Sequence, residues 1–500
     1  MAKQATFGIG LFLMALVLIL CSVHLVATQR RANAGHTKVD LKTFYVAGAA
    51  AAHSRNIYKV HLKSKAYPYI YPPLLASLIR PLILLPLRQA ILVWNLLQLF
   101  LIVVGFELLR RHLATFDTPM PVLLAAAIIF IHSWSLVENI TWVQINLWVW
   151  VAMLGSLLLL RRNRPWSSGG LLAVAASIKL VPVLLLLLLP LMDWRNAAKW
   201  IGGFAIGVVA SLLLVPALVG GLSWAIDMNA AFVSLLVENA RNTKHSLPWG
   251  ENCANHSLLF GLKHIMGKCA NPPSTGHAAR IRSIYGVLRG IMVTGTTVTT
   301  LLSGWVHVSL IRSRRRSRGH EAKSDAEQVT SVLWLLTVAQ TILVMLLVTP
   351  ISWIHQWVLV LIPLAALAVL ALGPNFATDD HPTLLLPKHM RTATMALAIY
   401  LAAVTIAGHE MESYRVGTVA FAWYAGWIAI TGLLATVQAS ILLGDRIWTV
   451  AHRRDLMDAN SSWNEGGRAQ RGDVKKPEIE APPRQAGRIA AGRVARSTAQ

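Results

Sequence analysis

The chain alternates long apolar runs with short polar connections. Residues 7–28, 91–109 and 361–372 hold almost no charge, and about 20 consecutive apolar residues let an α-helix cross the hydrocarbon core of a bilayer. The same pattern predicts twelve segments, at about 7–28, 90–110, 119–136, 146–160, 168–178, 180–190, 197–220, 283–311, 329–349, 353–372, 391–408 and 418–443. Membrane barrel strands would give short alternating segments instead, and the sequence has none. The expected fold is all-α and polytopic.

Two stretches admit a second reading. Residues 73–87, "PLLASLIRPLILLPL", are too short to span and read as a re-entrant or interfacial helix. Residues 168–190 are long enough for one span but are interrupted by "SIKLVP", so they read as two segments broken at Lys179. If 73–87 crossed and 168–190 did not break, Arg110, Arg111, Arg161, Arg162 and Arg164 would move to the outer face. The bias of Lys and Arg toward cytoplasmic loops disfavours that arrangement.

Composition agrees with a membrane protein: hydrophobic residues make up 55% and charged residues 14% of the 500. A soluble chain of this length needs more charge to cover its surface. The first apolar run lacks a small-residue cleavage site, so it reads as a retained span and not as a signal peptide. The formal net charge of +24 sits mostly in short loops and beyond Arg446, where it reads as a topology determinant and a contact with anionic lipid headgroups, not with nucleic acid. Arg195 and Lys199, the run "RSRRRSR" at 312–318, and Lys388 with Arg391 fall on that same side. The reading therefore places both termini in the cytoplasm. Cys253 and Cys269 share one long loop, open equally to a disulfide and to two free thiols.

With that topology the polar, chemically capable stretches collect on the non-cytoplasmic side. Residues 32–73 carry six Lys or Arg and a single acidic residue, Asp40. Asp40 opens the short helix pattern "TFYVAGAAAA", so an N-terminal cap is the ordinary reading. The alternative is a general base kept ionised by its basic surroundings. Tyr67, Tyr69 and Tyr71 in "YPYIYPP" read as interfacial anchors, with stacking on a sugar ring as the second possibility. Lys179 interrupts about twenty apolar residues; it either snorkels to the headgroups or meets a phosphate that offsets its burial. His355, between Trp353 and Trp357, is an interfacial residue or a donor to a phosphate or carboxylate. Glu138, Gln144 and Asn146, and Asn255 with His256 and Ser257, suit hydroxyl recognition or simply turns; Arg241 and Lys244 add positive charge to the long loop. No phosphate-cradling glycine loop, zinc spacing or nucleophile elbow appears. The sequons at 139–141 and 460–462 are discounted, one for closeness to a span and one for lying in the tail.

The ordered series "DLKTFYVAGAAA…NIY", "YIYPPLLASLIRPLILLP", "QINLWVWV", "AASIKLVPVLLLLLLP", "NHSLLFGL" and "TPISWIHQWVLVLIPL" resembles the C-type (GT-C), multi-spanning α-1,2-mannosyltransferases that use polyprenyl-phosphate mannose. These include the actinobacterial enzymes that elongate phosphatidylinositol mannosides and lipomannan. The resemblance implies a transferase domain over residues 1–443, with 29–89 as an extracytoplasmic loop with juxtamembrane helices and 221–282 as a second large loop. Residues 444–500 would be a basic, disordered cytoplasmic tail. It also implies a lipid-linked donor, a glycolipid acceptor and no cofactor or metal, in the plasma membrane with the active site outside. The catalytic acidic residue of the family, the expected base, maps onto Asp40 and its histidine onto His355. Lys179, Arg241 and Lys244 are then candidates for the donor phosphate. Tyr71, Gln144, Asn146, Asn255, His256 and Gln356 are candidates for the acceptor and sugars. Gln356 stands where relatives often carry a second histidine, and His256 where they carry glutamine. A different polyprenyl-phosphate sugar, such as arabinofuranose, and a lipid-linked sugar flippase are the rival readings.

Overall fold

The structure is a computed structural model that describes residues 2–36, 39–60, 69–116, 120–241, 275–316, 320–348 and 354–372. All lie within the compact unit Met1–Gly444. Among the described residues every regular element is helical. They begin with α1 (Ala2–Asn33), α2 (Leu41–Ala52), α3 (Pro73–Ile79) and α4 (Leu87–Ala114). Next come α5 (Pro121–Ile131), α6 (Ser133–Trp142), α7 (Asn146–Arg161), α8 (Pro165–Ile178), α9 (Trp194–Val209), α10 (Val215–Gly220) and α11 (Leu222–Arg241). The series closes with α12 (Thr275–Arg316), α13 (His320–Val348) and α14 (Leu361–Leu372).

Three of these runs are long and apolar enough to cross a membrane: Gln4–Asn33, Leu87–Ala114 and Trp194–Gly220. The stretch expected as one straight span at 119–136 is instead a pair, α5 and α6, bent by 57°, which raises the number to four if it counts as one crossing. Twelve segments were expected over the whole chain; those at 391–408 and 418–443 lie outside the described residues. The stretch 73–87 forms α3 and a five-residue 3-10 turn, Arg80–Leu84.

The break expected at Lys179 is present. α8 stops at Ile178, Lys179 is extended (φ −146°, ψ 122°), and an eleven-residue 3-10 helix, Val181–Leu191, follows. A 3-10 helix repeats every three residues, and the buried members of this one are Pro182, Leu185, Leu188 and Leu191. That ridge packs against α12 and α13. The run from α9 to α10 passes through a π-helical turn, Ala210–Leu214, just before Pro216. Proline cannot donate to the carbonyl four residues back; the freed Leu212 carbonyl accepts instead from the Asn229 side chain of α11. α8 and α9 cross at backbone distance because Gly169 faces the carbonyl of Trp200 and Gly203 faces that of Trp166. Small residues let membrane helices approach this closely.

Tyr69 corrects the expectation of an interfacial anchor. Its ring is buried, and its hydroxyl donates to the Pro72 carbonyl at 2.7 Å and accepts from the Ala76 N–H at 3.1 Å. It thus satisfies one of the orphan donors at the start of α3, where Pro72 offers no side-chain cap. Tyr58 donates to the Tyr71 carbonyl at 3.0 Å, and Tyr45 to the Leu85 carbonyl at 2.8 Å. Trp224 donates to the Arg55 carbonyl at 2.9 Å. These polar tips of buried and half-buried aromatic rings tie down the segment that carries Asp40.

Candidate functional site

Asp40 sits one residue before α2, the position of a cap, yet its side chain caps nothing. Asp193, at the same position before α9, accepts from the N–H groups of Arg195 and Asn196 at 3.1 and 3.0 Å. The same residue type in the same local position therefore does two different things. Asp40 Oδ2 accepts from the side-chain amide of Gln144, and the Asp40 N–H donates to the Trp142 carbonyl at 3.1 Å.

Gln144 stands in the tight turn between α6 and α7. Val143, a β-branched residue, adopts the left-handed conformation there (φ 54°, ψ 56°), which costs roughly 1–2 kcal/mol. Such strain persists only where the surroundings fix it. Here the fixtures are the Gln144 N–H donating to the Asn139 carbonyl at 2.9 Å and the Trp94 indole donating to the Gln144 carbonyl at 3.0 Å.

The network runs on from Gln144. Asn146 Nδ2 lies 3.4 Å from Gln144 Oε1 and 3.3 Å from Asn139 Oδ1. Lys179 Nζ donates to Asn146 Oδ1 at 2.8 Å. Lys179 arrives because α8 ends there, and α8 packs against α7, whose first residue is Asn146. Asp40 and Lys179 form no direct ion pair; two amides connect them. Gln144 and Asn146 are 1% and 2% exposed, so the amides are fully enclosed, whereas Asp40 and Lys179 are only half-buried. The two charged ends keep the access that a substrate would need.

Desolvation pushes the Asp40 carboxyl from its ordinary 3.8 to about 6, against the opposing pull of the Gln144 hydrogen bond and of the Lys179 ammonium. The sequence led us to expect that neighbouring lysines and arginines of the loop hold the carboxylate ionised. The cation that acts on it is Lys179, from outside that loop, and burial outweighs it. Tyr71, whose ring meets Phe44 edge-on at 5.2 Å, has its phenol raised by burial and then by the Asp40 charge, so it stays protonated.

The 3-10 helix Ile354–Val360 carries His355 and packs against α6 and α7, the helices on either side of Gln144; the neighbouring Gln356 is buried. Arg241 closes α11. Lys244, Asn255, His256 and the two loop cysteines lie outside the described residues. Three contributors escaped the sequence reading: Asn139, which accepts from Asn146; Trp94, which pins the Gln144 carbonyl; and the strained Val143. Asn139 and Val143 belong to the polar stretch "ENITWVQIN" already singled out, so a closer reading of that stretch could have found them. Asn139 is fully buried, which agrees with discounting its sequon. Among the described residues no three His, Cys, Asp or Glu side chains gather as metal ligands would.

A family model described as Glycosyltransferase family 87 matches residues 69–320, half of the chain. Gln144, Asn146 and Lys179 fall inside the match; Asp40 and His355 fall outside it. No curated protein and no solved structure matches this chain. By its family match the chain belongs to glycosyltransferase family 87, a C-type family of membrane glycosyltransferases.

Proposed function

We propose that the protein is an inverting transferase that moves mannose from polyprenyl-phosphate mannose to a hydroxyl of a lipid-linked mannoside. The linkage formed is α-1,2, and the reaction takes place on the extracytoplasmic face of the plasma membrane. Asp40 removes the proton of the acceptor hydroxyl, whose oxygen attacks the anomeric carbon. The bond from that carbon to the phosphate oxygen breaks, and polyprenyl phosphate leaves with the electron pair. One base is enough for such an inversion, because phosphate is already a good leaving group. Lys179, with Arg241, Lys244 and His355, neutralises the departing phosphate, a role in which fixed cations stabilise developing charge. No metal is invoked. Tyr71, Asn255, His256 and Gln356 are the residues offered to sugar hydroxyls and ring faces.

The observation that carries this reading is the refusal of Asp40 to cap its helix, its carboxylate being turned instead onto a buried amide that leads to Lys179. Purified protein in detergent, given polyprenyl-phosphate mannose and a mannolipid acceptor, should transfer sugar, and Asp40→Asn should lower turnover by roughly 10²–10⁴-fold. Unchanged turnover in that variant would remove Asp40 from the mechanism. A parallel arm with polyprenyl-phosphate arabinose decides the donor. A flippase would give no product in detergent.

A further inference from the structure

We infer that Gln144 and Asn146 are positioning residues that carry the charge of Lys179 to Asp40 and so set the ionisation of the base; this rests on the reading of Asp40 given above. The direction of each hydrogen bond supports it. The Lys179 ammonium donates to Asn146 Oδ1, the amide of Asn146 donates to Gln144 Oε1, and the amide of Gln144 donates to Asp40 Oδ2. All three bonds point the same way, from the cation to the anion. Donating from a charged group polarises the amide that accepts it, and successive bonds in a low-dielectric interior strengthen one another. With both amides almost wholly enclosed, water does not short-circuit the chain.

The arrangement also fixes which oxygen does chemistry. Oδ2 is occupied by Gln144, leaving Oδ1 to face an acceptor. A lysine has three N–H donors; one is spent on Asn146, and two remain for a phosphate. Phosphate drawing on the same ammonium would weaken the pull transmitted to Asp40, making the carboxylate more basic when donor is bound. Other titratable groups on the elements around Asp40 are Tyr71, Lys42 and Tyr45 of α2, Glu138 of α6 and His355 on the 3-10 helix. Among them Tyr45 donates to the Ile83 and Leu85 carbonyls, away from this line of bonds.

The test reads the ionisation of Asp40 without needing the donor. A water-soluble carbodiimide attacks protonated carboxyl groups, and residues 32–55, released by cleavage after Arg31 and Arg55, contain Asp40 as their single acidic residue. Full-length protein in detergent is labelled across pH 4.5–8.5 and the fragment quantified by mass spectrometry. In Asn146→Ala the midpoint of labelling should move upward by about one pH unit, equivalent to a tenfold change in protonation at fixed pH. Asn146→Leu, close in size and uncharged but unable to donate to Gln144, should move it the same way and serves if the alanine variant fails to fold. A midpoint unchanged in a folded variant overturns the relay while leaving the Asp40→Asn transfer assay to judge the base itself. A downward shift overturns it as well, since the bonds would then be raising the carboxyl.

Discussion

If the base is Asp40, the rate should carry its titration. The perturbation is pH alone. A carboxyl with an ordinary value of 3.8 would be ionised throughout pH 5–7, and transfer would be flat across that range. With the group raised to about 6 by desolvation, about nine-tenths is ionised at pH 7 and about one-tenth at pH 5. The sign follows from the role: the base must be ionised, so activity is present above the folded value and lost as pH falls through it. kcat/KM should thus fall about tenfold between pH 7 and pH 5 and about tenfold more for each further unit. Initial rates at limiting acceptor, measured over pH 4.5–8 in mixed buffers, give the limb. Samples returned to pH 7 must recover full activity, which separates titration from acid damage. A flat profile between pH 5 and 7 with full recovery would refute the assignment of Asp40 as the group that takes the proton.

Three further outcomes follow from particular contacts. Lys179→Met removes the ammonium that lies beyond Asn146; kcat should fall about 10²–10³-fold, as for loss of one donor to a developing anion, and a rate within twofold of native would exclude Lys179 from phosphate neutralisation. Tyr69→Phe keeps the ring but strands the Ala76 N–H and the Pro72 carbonyl, at a cost of about 1–3 kcal/mol; thermal unfolding in detergent should show a lower Tm, with transfer preserved at low temperature. Gly203→Leu forces a side chain into the Trp166 backbone and should destabilise by about 1–3 kcal/mol, whereas the same change at Gly286, which has open space around it, should leave Tm near native.

Much of the site was legible because it broke local rules. One carboxylate among six cations, and one lysine inside an apolar run, are anomalies that a sequence displays without a fold. The helix break at Lys179 was legible for the same reason, since charge followed by proline disfavours continuing the α-helix. What could not be read was partnership. Nothing local says that Asp40 will meet Gln144, 104 positions away, because that pairing is decided by how α2, α6 and α7 pack. Tyr69 was misread as an anchor since a tyrosine beside prolines has the same composition whether its hydroxyl faces headgroups or a helix start. The 57° bend between α5 and α6 falls at His132 without a proline or glycine to announce it. The charged loop misled in one respect: proximity in sequence suggested the wrong cations for Asp40.

The 3-10 winding of Val181–Leu191 bears on how far a short segment reaches. At about 2.0 Å per residue its eleven residues extend about 22 Å, where α-helical winding would give about 17 Å. Laid along a bilayer normal, that length would equal some three-quarters of a hydrocarbon layer about 30 Å thick. Reach in this part of the chain is gained by stretching the coil, so a single inserted residue would lengthen the segment and turn its buried ridge by a third of a revolution.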